Sequence, residues 1–337
     1  AHEIDKFGPD LQYGIYHETD RELDTNQDVI ITSYGIVRND IEDLKKRTWT
    51  LVVIDEAQNI KNTRTKQTRA VKSLTARMKI ALTGTPVENS IMEYWSIMDF
   101  VNKDLLGGKA QFKRKFATPI ERERNRRKIK DFRKITAPFI MRRLKTDKSI
   151  IKDLPEKIKI DQYCKLTDKQ AALYQNIIDR IMNQIETDDS FQRKGLVFKL
   201  ITALKQVCNH PANYLKNGKA NVQDSGKALM LKQLLEDIFA AQEKCLIFTQ
   251  YTEMGDILEE MIEKEFNTTP LFLHGGVPQK KRQKIIDGFQ NNRENRVFLL
   301  SLKAGGTGLN LTAASHVIHY DLWWNPAVEK QATEMGR

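Results

Sequence analysis

The stretch Leu51-Val52-Val53-Ile54-Asp55-Glu56-Ala57-Gln58 decides how this sequence folds. Its unbroken apolar run, Leu51 to Ile54, ends directly at two carboxylates. A short apolar run bounded by polar residues is typical of a buried parallel strand, and open α/β sheets carry their chemistry at the carboxyl ends of such strands. Two adjacent carboxylates can hold magnesium there and orient water for attack on a phosphate, so phosphoryl transfer is the first hypothesis. The alternative is that Asp55 and Glu56 only cap the following segment.

A second apolar run, Lys79 to Leu82, ends in Thr83-Gly84-Thr85-Pro86. If the two strands are neighbours, the hydroxyls and the flexible glycine lie beside the carboxylates. Together the segments resemble the D-E-x-x and T-G-T-P motifs of superfamily-two nucleic-acid-dependent ATPases. The longer string from Ala81 to Asn89 resembles the SWI/SNF-like remodelling ATPases specifically.

This resemblance implies ATP and magnesium as cofactors and assigns roles to the motif residues. Asp55 and Glu56 are expected to hold magnesium and activate water, with Gln58 as the third member of the catalytic group. The residues expected to bind ATP or couple it to the rest of the protein are Thr83, Gly84, Thr85, Gly306, Gly308 and Gln331.

The composition favours an intracellular protein of two domains. A chain of 337 residues supports two ordinary cores, and 40% hydrophobic with 29% charged residues is normal for a soluble protein. We find no apolar run of the roughly 20 residues that cross a bilayer and no signal-peptide pattern. Cys164, Cys208 and Cys245 form no C-x-x-C pair, and packing is the expected role of Cys208 and neighbouring His210.

Positive charge is concentrated in one region of the chain. Residues 109–148 hold sixteen Lys and Arg against four Asp and Glu, whereas the whole chain carries a net charge of +11. This concentration suits the phosphate backbone of double-stranded DNA, and a solvated helical face is the alternative. The candidate phosphate contacts are Arg126, Arg127, Lys128, Arg142, Arg143 and Lys145.

Strand-like runs alternate with helical stretches, which predicts parallel doubly wound sheets. The predicted strands are 28–34, 51–54, 79–82, 244–249, 296–300 and 316–320. Between the two sets of three, Phe112–Lys134 and Leu173–Ile185 have helical periodicity. We therefore predict two RecA-like lobes: residues 1–153 with a helical insertion at about 90–148, and residues 154–337 with one at about 167–222.

Strings in the helical insertions and in the second half resemble the same family closely. They are Pro138–Lys145, Leu154–Lys157, Cys208–Pro211, Thr249–Thr252, His274–Gly276 with Arg282, Ser301–Leu311, Asp321–Pro326 and Gln331-Ala332. The resemblance implies that Thr249, Gln250, Ser301 and Lys303 contact nucleic-acid phosphates. Trp324 resembles a DNA-contacting tryptophan, with packing in the core or between lobes as the alternative.

Two family elements are absent from the sequence. We find no phosphate-cradling G-x-x-x-x-G-K-[ST] loop before Asp55, and the chain is expected to start downstream of it. The family pattern Q-A-x-x-R-x-x-R is also incomplete, because Met335 occupies the first arginine position. These 337 residues alone are therefore expected to be inactive.

The resulting expectation is part of a DNA-stimulated ATPase that moves along double-stranded DNA, with a DNA-bound protein as a further expected substrate. Two alternatives remain open. One is a strand-separating helicase, for which the sequence shows no wedge element. The other is a non-catalytic DNA-binding scaffold. In a prokaryote such a protein acts in the cytoplasm or nucleoid, and in a eukaryote in the nucleus.

Overall fold

The computed structural model describes residues 2–17, 22–24, 26–84, 90–142, 158–187, 190–216, 220–305 and 309–336. The chain divides into two units, Ala1–Arg143 and Leu144–Arg337. None of the described helices is both long and apolar enough to cross a membrane.

Unit 1 combines short parallel strands with helices. Its strands are β1 (Tyr13–Tyr16), β2 (Val29–Thr32), β3 (Trp49–Ile54) and β4 (Ala76–Ala81). Its helices are α1 (His2–Phe7), α2 (Tyr34–Asn39), α3 (Ile41–Leu44), α4 (Lys66–Ser73), α5 (Ile91–Val101), α6 (Lys109–Phe112), α7 (Thr118–Glu121) and α8 (Arg126–Thr136). Single turns of 3₁₀ helix cover Ala57–Ile60 and Ala137–Phe139, and a π-helical turn covers Lys113–Ala117.

The strands of unit 1 pair in parallel, β1 with β2 and β3 with β4. The predicted strands at 28–34, 51–54 and 79–82 are confirmed, and β1 is an addition. Ile54 packs with Val71 of α4 and Phe100 of α5 in the core of this unit. Burial of this one face holds the carboxyl ends of β3 and β4 side by side.

The opposite face of the β3–β4 pair is apolar and exposed. Leu51 lies directly across from Met78, and Val53 from Ile80, so all four side chains share one face. Each of them is more than a third exposed, as is Leu82, which follows β4. We call these five residues the open face.

The predicted helical stretch Phe112–Lys134 forms, but in two pieces. Residues 122–125 separate α7 from α8, and Arg124 has a left-handed backbone with φ of 48°. Phe112, Phe116 and Phe132 pack with ring centroids 5.7–5.9 Å apart and hold the pieces together. The basic region is therefore built on an aromatic cluster.

Unit 2 contains a sheet of four strands, and its helices include longer ones than those of unit 1. Its strands are β5 (Cys245–Thr249), β6 (Leu271–Leu273), β7 (Val297–Ser301) and β8 (His316–His319). Its helices are α9 (Asp168–Thr187), α10 (Ser190–Asn209), α11 (Pro211–Leu215), α12 (Gly226–Ala240), α13 (Thr252–Phe266), α14 (Gln279–Asn291), α15 (Leu302–Gly305) and α16 (Pro326–Thr333).

The sheet of unit 2 is parallel, with strand order β6-β7-β5-β8. Alternate residues of β5 face opposite sides: Leu246 and Phe248 pack in one core, and Cys245 and Ile247 in the other. Helices therefore cover both faces, which confirms a doubly wound sheet. The predicted strands at 244–249, 296–300 and 316–320 are present, and β6 is an addition.

The helices α9 and α10 confirm the helical prediction for Leu173–Ile185. Ile177 and Ile181 of α9 pack against Ala203 and Val207 of α10. The buried Gln170 side chain joins α9 to α10, because its amide donates to the backbone oxygen of Val207 at 2.8 Å. His210, next to Cys208, caps α11 by accepting a hydrogen bond from the backbone N–H of Ala212 at 3.0 Å.

Candidate functional site

The carboxyl ends of β3 and β4 meet, as the sequence predicts for neighbouring strands. The backbone N–H of Leu82 donates to the oxygen of Ile54 at 2.8 Å, and that of Ala57 donates to the oxygen of Leu82 at 2.9 Å. The pairing thus continues past the last residue of each strand. It brings Asp55 and Glu56 beside Thr83 and Gly84.

A chain of side-chain hydrogen bonds joins the two motifs. The Thr83 hydroxyl donates to the side-chain oxygen of Gln58 at 2.8 Å. The Gln58 amide then donates to the Glu56 carboxylate, Nε2 to Oε2, at 2.5 Å. Gln58 therefore fixes the orientation of Glu56 relative to the end of β4.

Glu56 has an unusual backbone conformation. Glu56 has a left-handed conformation, with φ 49° and ψ 53°, which is uncommon for a residue other than glycine. The Asp55 carboxylate accepts the backbone N–H of Glu56 at 2.8 Å. A strained backbone at the end of a strand is a frequent feature of functional sites.

Tyr34 is a site residue that the sequence does not reveal. Its hydroxyl, at the start of α2, donates to the backbone oxygen of Asp55 at 2.6 Å. Burial, followed by the charges of Asp55 and Glu56, raises the pKa of Tyr34 to about 12. The phenol therefore stays neutral and remains a donor at physiological pH.

These side chains fit a magnesium ion that is shared with a phosphate. Asp55 is exposed and Glu56 is partly exposed, and both offer the oxygen ligands that magnesium prefers. Among the described residues, no group of three or more His, Cys, Asp or Glu is arranged to hold a metal. Two carboxylates suffice for magnesium when substrate phosphates and water complete its coordination.

Several predicted site residues cannot be placed. Thr85, Gly306, Gly308, Arg143 and Lys145 lie outside the described residues. The side chain of Lys303, within α15, is likewise not described. Gln331 lies on α16 and is partly buried.

Two hydroxyl residues that are predicted to contact phosphates, Thr249 and Ser301, are buried inside unit 2. Thr249 is fully buried, and its hydroxyl donates to the Asp321 carboxylate at 2.6 Å. Ser301 is also buried and accepts the backbone N–H of Ala304 at 3.3 Å. In this structure both hydroxyls are used within the fold, and phosphate contacts of Thr249 and Ser301 stay a prediction.

Asp321 is the centre of this buried network. Its carboxylate accepts hydrogen bonds from Thr249, from the backbone N–H of Gln250 at 2.9 Å and from the Asn209 amide at 2.9 Å. Lys227 donates to the Asn209 side chain at 2.8 Å and to the Tyr320 backbone oxygen at 3.0 Å. Burial lowers the pKa of Lys227, and the charge of Asp321 opposes that shift. The string Cys208–Pro211 thus contributes a structural partner to Asp321.

The two adjacent tryptophans have different environments. Trp323 packs against a core of unit 2, and its backbone N–H donates to Glu329 at 2.6 Å. Trp324 is 66% exposed, and the Lys205 ammonium lies 4.8 Å from the centre of its ring. Of the two readings offered for Trp324, packing in the core of its own unit does not apply.

Three basic candidates of unit 1, Arg126, Arg127 and Lys128, begin α8. Arg126 and Arg127 are exposed and Lys128 is partly exposed, whereas Phe132 and Thr136 are buried. Within the described part of the chain, no carboxylate pairs with these three cations. Arg142, beyond α8, is also exposed. These cations at the start of α8 can accept a polyanion without first breaking ion pairs.

Comparison with known proteins gives consistent results. The model of the SNF2-related domain matches residues 1–213, and that of the helicase conserved C-terminal domain matches residues 226–337. The Bacillus subtilis protein YwqA, classed as an ATP-dependent helicase/translocase, is 42% identical over 342 residues, which cover 98% of this chain and 37% of YwqA. The ATP-dependent DNA helicase DDM1 of Arabidopsis thaliana is 32% identical over 369 residues, covering 98% of this chain and 48% of DDM1.

A solved structure supports the same assignment. The SWI2/SNF2 ATPase core domain of Sulfolobus solfataricus is 43% identical and superposes with a TM-score of 0.51, covering 100% of this chain and 69% of that structure. The parallel sheets and their helices correspond to the RecA-like lobes of that core. The chain spans about a third to a half of the length of the two curated relatives.

Proposed function

This chain belongs to the SNF2-related domain family, and we propose that the protein is a DNA-stimulated ATPase that moves along double-stranded DNA. The observation that carries the proposal is the Thr83–Gln58–Glu56 chain of hydrogen bonds at the carboxyl ends of two parallel strands. It places an oriented carboxylate where open α/β sheets bind phosphates.

Asp55 and Glu56 would hold magnesium in this ATPase. When bound, magnesium supplies positive charge that neutralises the phosphate oxygens. Glu56, held by Gln58, orients and polarises the attacking water. Thr83 is linked to Glu56 through Gln58, so a displacement at the end of β4 changes the orientation of that carboxylate.

The DNA part of the proposal rests on charge and on the relatives. The exposed cations of α8 suit a phosphate backbone, and base-reading elements are not needed for movement along DNA. The relatives are named as a helicase/translocase and a DNA helicase, which favours nucleic acid as the partner. Differential DNA affinity between nucleotide states would convert hydrolysis into movement. A DNA-bound protein is the proposed substrate of that movement.

We also propose that these 337 residues alone hydrolyse ATP negligibly. The pairs Gly108-Lys109, Gly218-Lys219 and Gly226-Lys227 lack the upstream glycine and the following hydroxyl of a phosphate-cradling loop. Robust DNA-dependent turnover by this chain would contradict that statement.

The test of the proposed function is Glu56→Gln in the full-length protein, because the substitution keeps the shape of the side chain and removes its charge. We expect ATP binding to persist and DNA-stimulated phosphate release to fall by roughly 10²- to 10⁴-fold. Glu42→Gln, an exposed carboxylate of α3 paired with Lys45, is the matched control and should retain activity. Near-normal turnover by Glu56→Gln would return Asp55 and Glu56 to a capping role.

Strand displacement is measured in parallel on a duplex with a labelled strand. A translocase without unwinding activity releases phosphate while the duplex stays intact. Release of the labelled strand would identify a helicase instead.

A further inference from the structure

Burial changes abruptly after β8. Tyr320 and Asp321 are 5% and 2% exposed, whereas Leu322 and Trp324 are 63% and 66% exposed. An exposed aromatic side chain next to a buried carboxylate needs an external support if it is to keep one orientation, because ordering it costs conformational entropy. The structure provides that support from α10.

The first contact fixes Asp321 to the end of α10. Its carboxylate accepts the Asn209 amide at 2.9 Å, in addition to the two hydrogen bonds from Thr249 and Gln250. Asn209 is itself buried and receives the Lys227 ammonium at 2.8 Å. The buried end of the segment is thereby held on several sides.

The second contact reaches the exposed end. The Lys205 ammonium donates to the backbone oxygen of Leu322 at 2.7 Å and lies 4.8 Å from the centre of the Trp324 ring. Lys205 and Asn209 are four residues apart on α10, so they lie on the same face of the helix. One helix face therefore holds both ends of the segment from Asp321 to Trp324.

Lys205 has no carboxylate partner within the described ranges of unit 2, so its charge is available to the ring and to the carbonyl. An ammonium over an indole is favourable, and tryptophan is the best aromatic partner for it. The helix beneath is anchored by Gln170, which donates to the backbone oxygens of Val207 and Cys208 at 2.8 and 3.2 Å. Lys205 thus extends from a fixed platform.

We propose that Lys205 is a positioning residue that holds Trp324 in the orientation in which its ring contacts DNA. The inference rests on the proposed function, since it assumes that the protein binds DNA. In this arrangement α10 sets the position of the nucleic-acid surface at the end of β8. Lys205 acts through Trp324 and does not itself contact a phosphate.

The test compares the protein with Lys205→Met, Lys205→Arg and Trp324→Ala in duplex DNA binding at several salt concentrations. Lys205→Met keeps the aliphatic chain and removes the charge, so we expect affinity to fall about two- to fivefold. The slope of log affinity against log salt should not change, whereas loss of a direct phosphate contact would lower it by about 0.9. Lys205→Arg keeps both charge and donors and should restore affinity.

A double-mutant cycle separates positioning from other roles. Lys205→Met should have no further effect in the Trp324→Ala background, because the ring it positions is gone. An equal loss in both backgrounds, or a reduced salt slope, would overturn the proposal.

A measurement without DNA separates this inference from the proposed function. Acrylamide quenching of tryptophan fluorescence is measured with and without the Trp324→Phe substitution, and the difference between the two is the contribution of Trp324. The contribution of Trp324 to quenching should rise in Lys205→Met if that substitution releases the ring. An unchanged contribution would overturn the inference even if the protein binds DNA. If the protein binds no DNA, the proposed function fails, and quenching still decides whether Lys205 holds the ring.

Discussion

The Thr83 hydroxyl donates a 2.8 Å hydrogen bond to the side-chain oxygen of Gln58, across the gap between two motifs that are 25 residues apart. The Gln58 amide in turn donates a hydrogen bond to the Glu56 carboxylate. The orientations of the three side chains therefore depend on one another. A substitution of one of these residues is expected to change the orientation of the other two side chains.

Thr83→Val tests this linkage. The substitution keeps the β-branched shape and removes one hydrogen bond, so we expect turnover to fall about threefold to tenfold, corresponding to about 0.5–1.5 kcal/mol. Thr75→Val, at the amino end of β4, is the control and should have little effect. In the double variant with Gln58→Leu the two losses should not add, and simple additivity in phosphate release would show that the three side chains act independently.

Stability of unit 2 should fall in alkaline solution. Burial raises the pKa of Cys245 from 9.0 to about 12, and burial followed by the Asp321 charge raises that of Tyr251 from 10.0 to about 12. Above pH 9 the unfolded chain loses these protons first, so stability is complete below pH 9 and is lost as the pH rises towards 12. The slope expected from Cys245 alone approaches about 1.4 kcal/mol per pH unit, and the partly exposed Tyr251 adds less.

Urea unfolding between pH 8 and 11 measures this effect, with Cys245→Ala as the informative variant. Removal of the buried thiol should flatten the pH dependence. Cys164→Ala removes a half-exposed thiol and should leave the curve of the parent unchanged. Parallel curves for the parent and Cys245→Ala would assign the alkaline transition to other groups.

Gly226 should not tolerate a side chain. A Cβ atom there would lie 1.9 Å from the backbone oxygen of Lys165, and the Gly226 N–H donates to Gln170 at 3.1 Å. Gly226→Ala must displace backbone, so we expect a loss of about 3 kcal/mol or more in the free energy of unfolding.

Gly195, within α10, is the matched control because no atom lies within 4 Å of its added Cβ. Gly195→Ala should stabilise the protein by up to about 1 kcal/mol through helix propensity. Thermal unfolding of Gly226→Ala and Gly195→Ala measures this difference. Similar midpoints for the two variants would mean that the backbone near Lys165 shifts at little cost.

The exposed cations at the start of α8 predict a salt effect on DNA binding. If Arg126 and Arg127 contact phosphates, replacement of both by Gln should lower the slope of log affinity against log salt by about 0.9 for each residue. All DNA sequences should be weakened alike, because no base is read. Lys46→Gln is the control, since Lys46 is paired with Asp43 at 2.8 Å. An unchanged slope would leave α8 as a solvated surface.

The larger strands could be predicted because apolar runs report burial directly. β1 escaped prediction because Gly14 interrupts its apolar run, and β6 because it has only three residues. Strands so short have little sequence in which a pattern can repeat. The break before α8 was also missed, because Arg122 and Arg124 continue the charged pattern across it.

Part of the candidate site follows from local sequence and part does not. The closeness of Thr83 to Glu56 could be anticipated from two strands that end in polar residues. The contacts of Tyr34 with Asp55 and of Asp321 with Thr249 join residues 21 and 72 positions apart. The sequence separation of neither pair follows a recognisable pattern, so only the packed structure reveals these two contacts. The same holds for the burial of Thr249, which the sequence places at a strand end.

The open face has a consequence for how the protein behaves in solution. Five apolar side chains on two paired strands form a surface that favours self-association, while the net charge of +11 opposes it by mutual repulsion. Added salt screens that repulsion and leaves the apolar attraction in place. High salt would also weaken the proposed binding to DNA, so the protein is most prone to self-association where that binding is weakest. Solubility should pass through a maximum at intermediate ionic strength.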